Sequence, residues 1–245
     1  MDIQAILEST PQRTRIKSHD RFQHLISIDD WLDLWSTVSI DEIKIVRPQY
    51  RVLKRVFDFV FSTLVIVLVL SWLTPLLLIL IKAESKGPLI FKQLRHGHLG
   101  GEFYCYKFRS MRVNTLSDKQ MAKKGDPRIT KVGRFIRKTN IDELPQFLNV
   151  FLGQMSVVGP RPHMVTQMNS FEDLIEYYSL RHYVKPGVTG LAQVMGYRGE
   201  IKTINDIRNR IRMDVFYFTK WTFGLDLKII WLTLKNIVEY KNMGY

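Results

Sequence analysis

The chain has 245 residues, enough for one or two domains with a true core, and carries 36 Lys+Arg against 23 Asp+Glu. Cys105 is its only cysteine, which excludes an intrachain disulfide and a cysteine-based metal site and fits a reducing compartment. The basic excess is local: residues 82–138 hold fifteen Lys/Arg and four acids, which points to a polyanionic partner such as nucleic acid, an anionic membrane surface or a phosphorylated substrate.

In chain order, the opening "MDIQAILESTPQRTR" lacks the charged-then-apolar pattern of a signal peptide. Residues 1–48 are polar, with one amphipathic stretch, "HLISIDDWLDLWSTV", and read as a small N-terminal helical extension. "QYRVLKRVFD" follows as a basic amphipathic helix leading into a membrane. Phe59 to Ile81 is a run of 23 residues without a charge. As a helix it reaches roughly 34 Å, the thickness of a bilayer's hydrocarbon core. Both flanks are basic: Arg47, Arg51, Lys54 and Arg55 before it, Lys82, Lys86, Lys92 and Arg95 after it. A simple span shows more cations on its cytoplasmic side. The symmetry, and the break expected at Thr74 and Pro75, predict a re-entrant helix over 49–82 that enters and leaves by one leaflet. The hydroxyls of Ser71 and Thr74 are expected to satisfy carbonyls there.

Beyond it, "GPLIFKQL" and "EFYCYKFRSM" predict a small β-hairpin across the turn residues "RHGHLGG". His96 and His98 read as turn residues rather than metal ligands. Residues 114–127 are polar and read as a loop. "DPRITKVGRFIRKTN" has helical apolar spacing at Ile129, Val132, Phe135 and Ile136, and "FEDLIEYYSLRHYV" reads as another helix. "KPGVTGLAQVMGYRGE" reads as a glycine-rich loop. The tail "DVFYFTKWTFGLDLKIIWLTLKNIVEYK" interleaves aromatics with Lys220, Lys228, Lys235 and Lys241, which suits either an interfacial helix or one packed on the core.

The chemistry concentrates at "IDELPQ". A helix starting at Asn140 would put Pro145 where an N–H is needed; one starting at Asp142 puts it where a missing donor is harmless. Asp142 is therefore expected near an N-cap, with both carboxylates at a positive helix end that favours ionised Asp142, as a nucleophile requires. An aspartate that attacks phosphorus gives an acyl phosphate. A cation must then lie between carboxylate and phosphate. Arg137 and Arg161 suit this, as does a Mg²⁺ held by carboxylate and substrate phosphates.

These segments, together with "KRVFDFVFS", "VFLGQMSVVGPRP" and "DLKII", resemble the bacterial sugar transferases, the monotopic polyprenyl-phosphate phosphoglycosyltransferases, from about Lys54 to the C-terminus. The resemblance implies transfer of a sugar-1-phosphate from a UDP-sugar to undecaprenyl phosphate, releasing UMP, as the first membrane step of surface polysaccharide assembly. It implies Mg²⁺, Asp142 as nucleophile, Glu143 at the metal, and Lys107, Arg109, Arg137, Arg161 and Pro162 at the phosphates. The expected fold is mainly α with a small β-hairpin, monotopic, with a proline-broken re-entrant helix and interfacial amphipathic helices. Residues 83–245 would form a catalytic domain on the cytoplasmic face of the bacterial inner membrane, against anionic lipid, with a homodimer among the expected arrangements. Gln154 stands where the family commonly has an aspartate, and His163 follows "GPRP" where other residues are usual. "GYRGE" looks like the glucose- and galactose-phosphate branch. Residues 1–48 contain none of the extra membrane helices of longer relatives, so the chain reads as a short form. A membrane-anchored scaffold or lipid-binding protein would share the charge and the apolar run but leaves "IDELPQ" unexplained. A nucleic-acid binder fits the apolar run poorly, and no such motif is present.

Overall fold

A computed structural model describes residues 43–114, 125–165, 178–199, 201 and 203–239. The amphipathic stretch at 24–38, most of the loop at 114–127, the first half of "FEDLIEYYSLRHYV" and Lys241 lie outside the described residues. The second half of that stretch, Tyr178–Tyr183, is 3-10 helix.

Pro48 opens the first helix at a position that needs no N–H. Helix α1 (Pro48–Val65), a π-turn (Ile66–Leu70) and helix α2 (Ser71–Glu84) form one 37-residue rod, long and apolar enough to cross a membrane. Helical structure continues through Thr74 and Pro75; the irregularity is the π-turn just upstream. There the Ser71 amide bonds the Ile66 carbonyl, and side chains supplement the ladder. Ser71 Oγ donates to the Val67 carbonyl at 2.6 Å and Trp72 Nε1 to that of Leu68 at 2.9 Å.

One stripe of this rod is buried along its length: Lys54, Asp58, Ser62, Leu70, Leu73, Leu77 and Ile81. The opposite faces leave Val56, Val60, Val67, Leu68, Trp72 and Ile79 exposed. Both ends bind the same body of protein. Near the start, Lys54 Nζ lies 2.7 Å from Asp226 Oδ2, and Asp58 Oδ1 accepts from Ser156 Oγ and the Val157 amide, both at 2.9 Å. Arg55 donates to the carbonyls of Val150 and Phe151. At the far end, Leu73, Leu77 and Ile81 pack with Phe108 and Ile136, and the Glu84 carboxylate accepts from the backbone amides of Lys131 and Val132.

Strands β1 (Ile90–His96) and β2 (Glu102–Phe108) form the expected antiparallel hairpin, with Ile90 opposite Phe108 and His96 opposite Glu102. Alternation puts Phe103, Cys105 and Lys107 on one face of β2. Helix α3 (Lys131–Lys138) starts at Thr130, whose Oγ1 accepts from the Gly133 amide at 2.9 Å. Gly133 lets α3 press on the hairpin's exit: a Cβ there would meet the Ser110 carbonyl oxygen at 1.9 Å.

Three expectations need correction. Asp142 caps no helix. Asn140 ends α3 in the left-handed conformation (φ 60°), a 3-10 turn spans Ile141–Glu143, and α4 (Gln146–Phe151) begins only after Pro145. A second, parallel two-stranded sheet joins β3 (Ser156–Val158) to β4 (Gly187–Thr189), where a glycine-rich loop was expected. Gly187 permits that pairing, since a Cβ there would lie 2.1 Å from the Gly159 nitrogen. The aromatic tail is two helices, α6 (Ile204–Thr219) and α7 (Phe223–Val238), after the short α5 (Leu191–Val194). Tyr217, Phe218, Trp221 and Ile229 are buried in the main core with Phe147, Val150, Met155 and Val157. Leu227, Trp231, Leu234 and Val238 are exposed at helical spacing on α7. The tail thus divides between core and an uncovered apolar stripe.

Candidate active site

The 3-10 turn delivers Asp142 and Glu143 side by side, both buried, to the place where β2, the Gly-Pro-Arg-Pro turn and the 195–198 turn converge. Glu143 is pinned by three cations. Lys107 Nζ donates to Oε1 at 2.9 Å, Arg161 donates to both oxygens at 2.7 and 3.2 Å, and Arg198 Nη2 donates to Oε2 at 2.5 Å. Burial alone would raise the Glu143 carboxyl, but Arg161, Arg198 and Lys107 outweigh it and hold the group well below the usual carboxylate range. Asp142 goes the other way. Burial first, then the neighbouring Glu143 charge, push it up to about 6, against the expectation that a helix end keeps it ionised. The cause is structural: the acids precede α4 by a turn and lie in the protein interior.

Asp142 lines a cavity of about 540 Å³ with Lys107, Arg137, Arg161 and Arg198. That size is within the range of small-molecule sites, and Asp142 is the only acidic residue among its described lining residues. Arg137 Nη1 stands 3.5 Å from Ser110 Oγ. Arg109 also lines the cavity, but its guanidinium donates to the Lys86 and Ser85 carbonyls at 2.5 and 2.7 Å. It ties the hairpin to the end of α2. Pro162 is a cavity wall whose carbonyl accepts from Arg95 Nη1 at 2.5 Å.

The Gly-Pro-Arg-Pro turn is held on its other side by Arg181. Its Nη2 donates to the Arg161 carbonyl at 2.6 Å and lies 2.9 Å from Asp214 Oδ2, while its Nη1 meets His163 Nδ1 at 2.6 Å. Burial, with Arg181 beside it, keeps His163 well below its ordinary value, so the imidazole is neutral. Neither Arg181 nor Arg198 stands out in the sequence as a site residue. The available signal for Arg198 was one cation inside the turn-rich "GYRGE". Gln154 accepts from Asn149 Nδ2 at 2.8 Å.

As arranged, the acidic pair does not fit Mg²⁺ at Glu143. A carboxylate offers about four lone-pair sites, and four donor contacts already meet this one. No cluster of three or more His, Cys, Asp or Glu side chains lies among the described residues.

Comparison with known proteins bears on the whole. Residues 49–240 match the model of the family described as bacterial sugar transferase. A UDP-glucose:undecaprenyl-phosphate glucose-1-phosphate transferase of Klebsiella pneumoniae is 50% identical over 187 residues, 75% of this chain and 39% of the relative. The protein of that same name from Escherichia coli K12 is 47% identical over 186 residues, 75% of this chain and 40% of the relative. The exopolysaccharide production protein PSS of Rhizobium leguminosarum bv. phaseoli is 44% identical over 188 residues, 75% of this chain and 94% of the relative. The chain thus spans about two fifths of the length of the first two relatives. With the match covering the long helix, the acidic turn and the C-terminal helices, the chain belongs to the bacterial sugar transferase family.

Proposed function

We propose that this protein transfers a hexose-1-phosphate from a UDP-hexose to undecaprenyl phosphate, giving undecaprenyl-diphosphate-hexose and UMP. UDP-glucose is the first donor to test, because the Klebsiella and Escherichia relatives carry that substrate in their names. The observation that carries the reading is Asp142: a buried carboxylate beside a pinned Glu143, facing a cavity lined with cations.

In the first step a carboxylate oxygen of ionised Asp142 attacks the β-phosphorus of the donor. The bond from that phosphorus to the bridging oxygen breaks, UMP leaves with the electron pair, and a phosphosugar-aspartyl intermediate remains. In the second step an oxygen of the lipid phosphate attacks the same phosphorus, and Asp142 leaves as a free carboxylate. Lys107, Arg137, Arg161 and Arg198 neutralise charge on the phosphates and keep Asp142 from repelling them. Glu143 acts as the fixed counter-ion that aligns three of those cations. The Mg²⁺ implied by the family resemblance would add charge neutralisation if bound at the donor diphosphate, and none of the residue roles above depends on it.

The membrane part of the reading is that the rod Pro48–Glu84 is re-entrant in the bacterial inner membrane, with the site on the cytoplasmic side. Its support is the packing of both rod ends on one body of protein, together with the basic residues on both flanks. The stripe Leu227–Val238 and the basic flanks suit the headgroup region and anionic lipid.

The test is donor labelling. Protein incubated with UDP-glucose carrying a labelled β-phosphate, without lipid, should retain label and release UMP; undecaprenyl phosphate should discharge the label. Asp142→Asn should do neither. Full transfer by that variant would overturn the nucleophile assignment.

A further inference from the structure

A second cavity, of about 180 Å³, lies behind the acidic pair. Its walls are largely apolar: Phe61 of the long rod, Phe147, Val157, Val188, and Ile230 and Leu234 of α7. Glu143 and Arg198 also line it, and Arg198 lines the larger cavity as well, so this side chain forms part of the wall between the two. Leu234 is 60% exposed, so the cavity reaches the apolar stripe on the outer face of α7. Gln193, only 6% exposed, lines the cavity too, and its Oε1 has no hydrogen-bond partner among the described residues.

These features select a ligand class. An apolar cavity of about 150 Å³ holds a six-carbon ring, so this one takes about one five-carbon isoprene unit. Thr189, Thr233 and Asn236 also line the cavity, but Thr189 and Thr233 pair with each other and Asn236 Nδ2 donates to the Val194 carbonyl, so a sugar or nucleoside would leave most of its hydroxyls unpaired. An amphiphile with an anionic head beside an apolar first segment satisfies both the guanidinium and the walls. Its tail would leave past Leu234 toward Trp231 and Val238, which are themselves uncovered. The unpaired Gln193 Oε1 is an acceptor, so a water carried by the phosphate head group, donating to it, completes its contact.

We propose that this cavity binds the phosphate-bearing first isoprene unit of a polyprenyl phosphate, with its phosphate against Arg198 and its tail leaving along α7. The proposal rests on the phosphosugar-transfer reading above. It adds that the lipid end of the acceptor is held on the far side of Arg198 from the donor cavity, while its phosphate reaches past Arg198 to the position that UMP vacates opposite Asp142.

Leu234→Trp and Ile237→Trp, at the rim of the cavity, test this in the full chain in detergent. UMP release from UDP-glucose without lipid reports the donor step, and transfer to undecaprenyl phosphate reports the acceptor step. Expected is UMP release within about twofold of wild type, with the KM for undecaprenyl phosphate raised at least about tenfold. Normal UMP release with an unchanged acceptor KM in both variants would overturn this proposal and leave the transfer reading intact. Absence of UMP release by the wild type would overturn both. Should the tryptophans prevent folding, wild-type protein cross-linked to an isoprenyl phosphate bearing a diazirine on its first unit decides. Adducts on Phe61 or on residues 230–237 support the cavity; adducts confined to other segments overturn it.

Discussion

Arg198 Nη2 donates to Glu143 Oε2 at 2.5 Å across 55 residues of sequence. It completes a cage begun by Lys107 and Arg161, and burial makes each of these charge-assisted bonds count for more than it would in water. Loss of one such donor in a preorganised site typically costs about 10² in rate. Arg198→Ala should therefore lower kcat/KM for sugar-phosphate transfer by about that factor, and Arg198→Lys, which keeps the charge but not the fork, should recover only part of it. Steady-state kinetics with UDP-glucose check this; wild-type rates in the alanine variant would remove Arg198 from the site.

In the proposed reaction the Asp142 carboxyl, pushed up to about 6 by burial and by Glu143, must be ionised to attack phosphorus. The rate of UMP release without lipid should accordingly be flat above pH 7 and fall about tenfold per pH unit below pH 6. A profile flat down to pH 4.5 would contradict an ionised Asp142 in that step.

The same group makes a stability prediction of defined sign. Its folded-state value lies above the ordinary 3.8, so ionisation in the folded protein is disfavoured relative to the unfolded chain. Folding stability is therefore lost as pH rises from about 4 through about 6. Asp142→Asn removes that cost and should stabilise the protein by ~1–3 kcal/mol at pH 7.5. The gain should shrink toward zero at pH 4. Thermal melts of the detergent-solubilised protein at both pH values measure it. An inactive but more stable variant would separate a working residue from a structural one.

Asp58 joins the long rod to β3 by accepting from Ser156 Oγ and the Val157 amide. In Asp58→Ala both donors stay buried without that acceptor. An expected loss of ~2–4 kcal/mol follows from the cost of unmet buried polar groups. The thermal melting point should fall by several degrees. Reduced protection of β3 from hydrogen exchange would locate the damage.

Arg181 touches Arg161 only through the backbone carbonyl, so it acts as a positioning residue. Arg181→Lys cannot reproduce the simultaneous contacts to that carbonyl, His163 and Asp214. Donor KM should rise about tenfold while the kcat of the lipid step changes little. Equal losses in kcat and KM for both substrates would indicate general disruption instead.

Two of the cavity-lining cations could be placed on their elements from the sequence because local rules apply to them. Lys107 follows Phe103 and Cys105 at the strand period, and Arg137 ends an amphipathic helix, so each could be placed on its own element. Arg109 shows the limit. The family resemblance implied a phosphate ligand there, yet its guanidinium is spent on the Ser85 and Lys86 carbonyls. The parallel pairing of Ser156–Val158 with Gly187–Thr189 was not legible, because three-residue strands carry no periodicity and their partner lies about thirty residues away.

By itself the sequence determined the apolar rod, the hairpin, the basic concentration and the acidic pair, since uncharged length, alternation and proline placement act over a few residues. Only the tertiary structure decided what the pair experiences. Asp142 and Glu143 are neighbours of one chemical kind, yet one is pushed up and the other down. Three cations from distant segments converge on Glu143, while Asp142 is left facing the cavity. Burial and the placement of long-range charge set that difference, and neither is a property of local sequence.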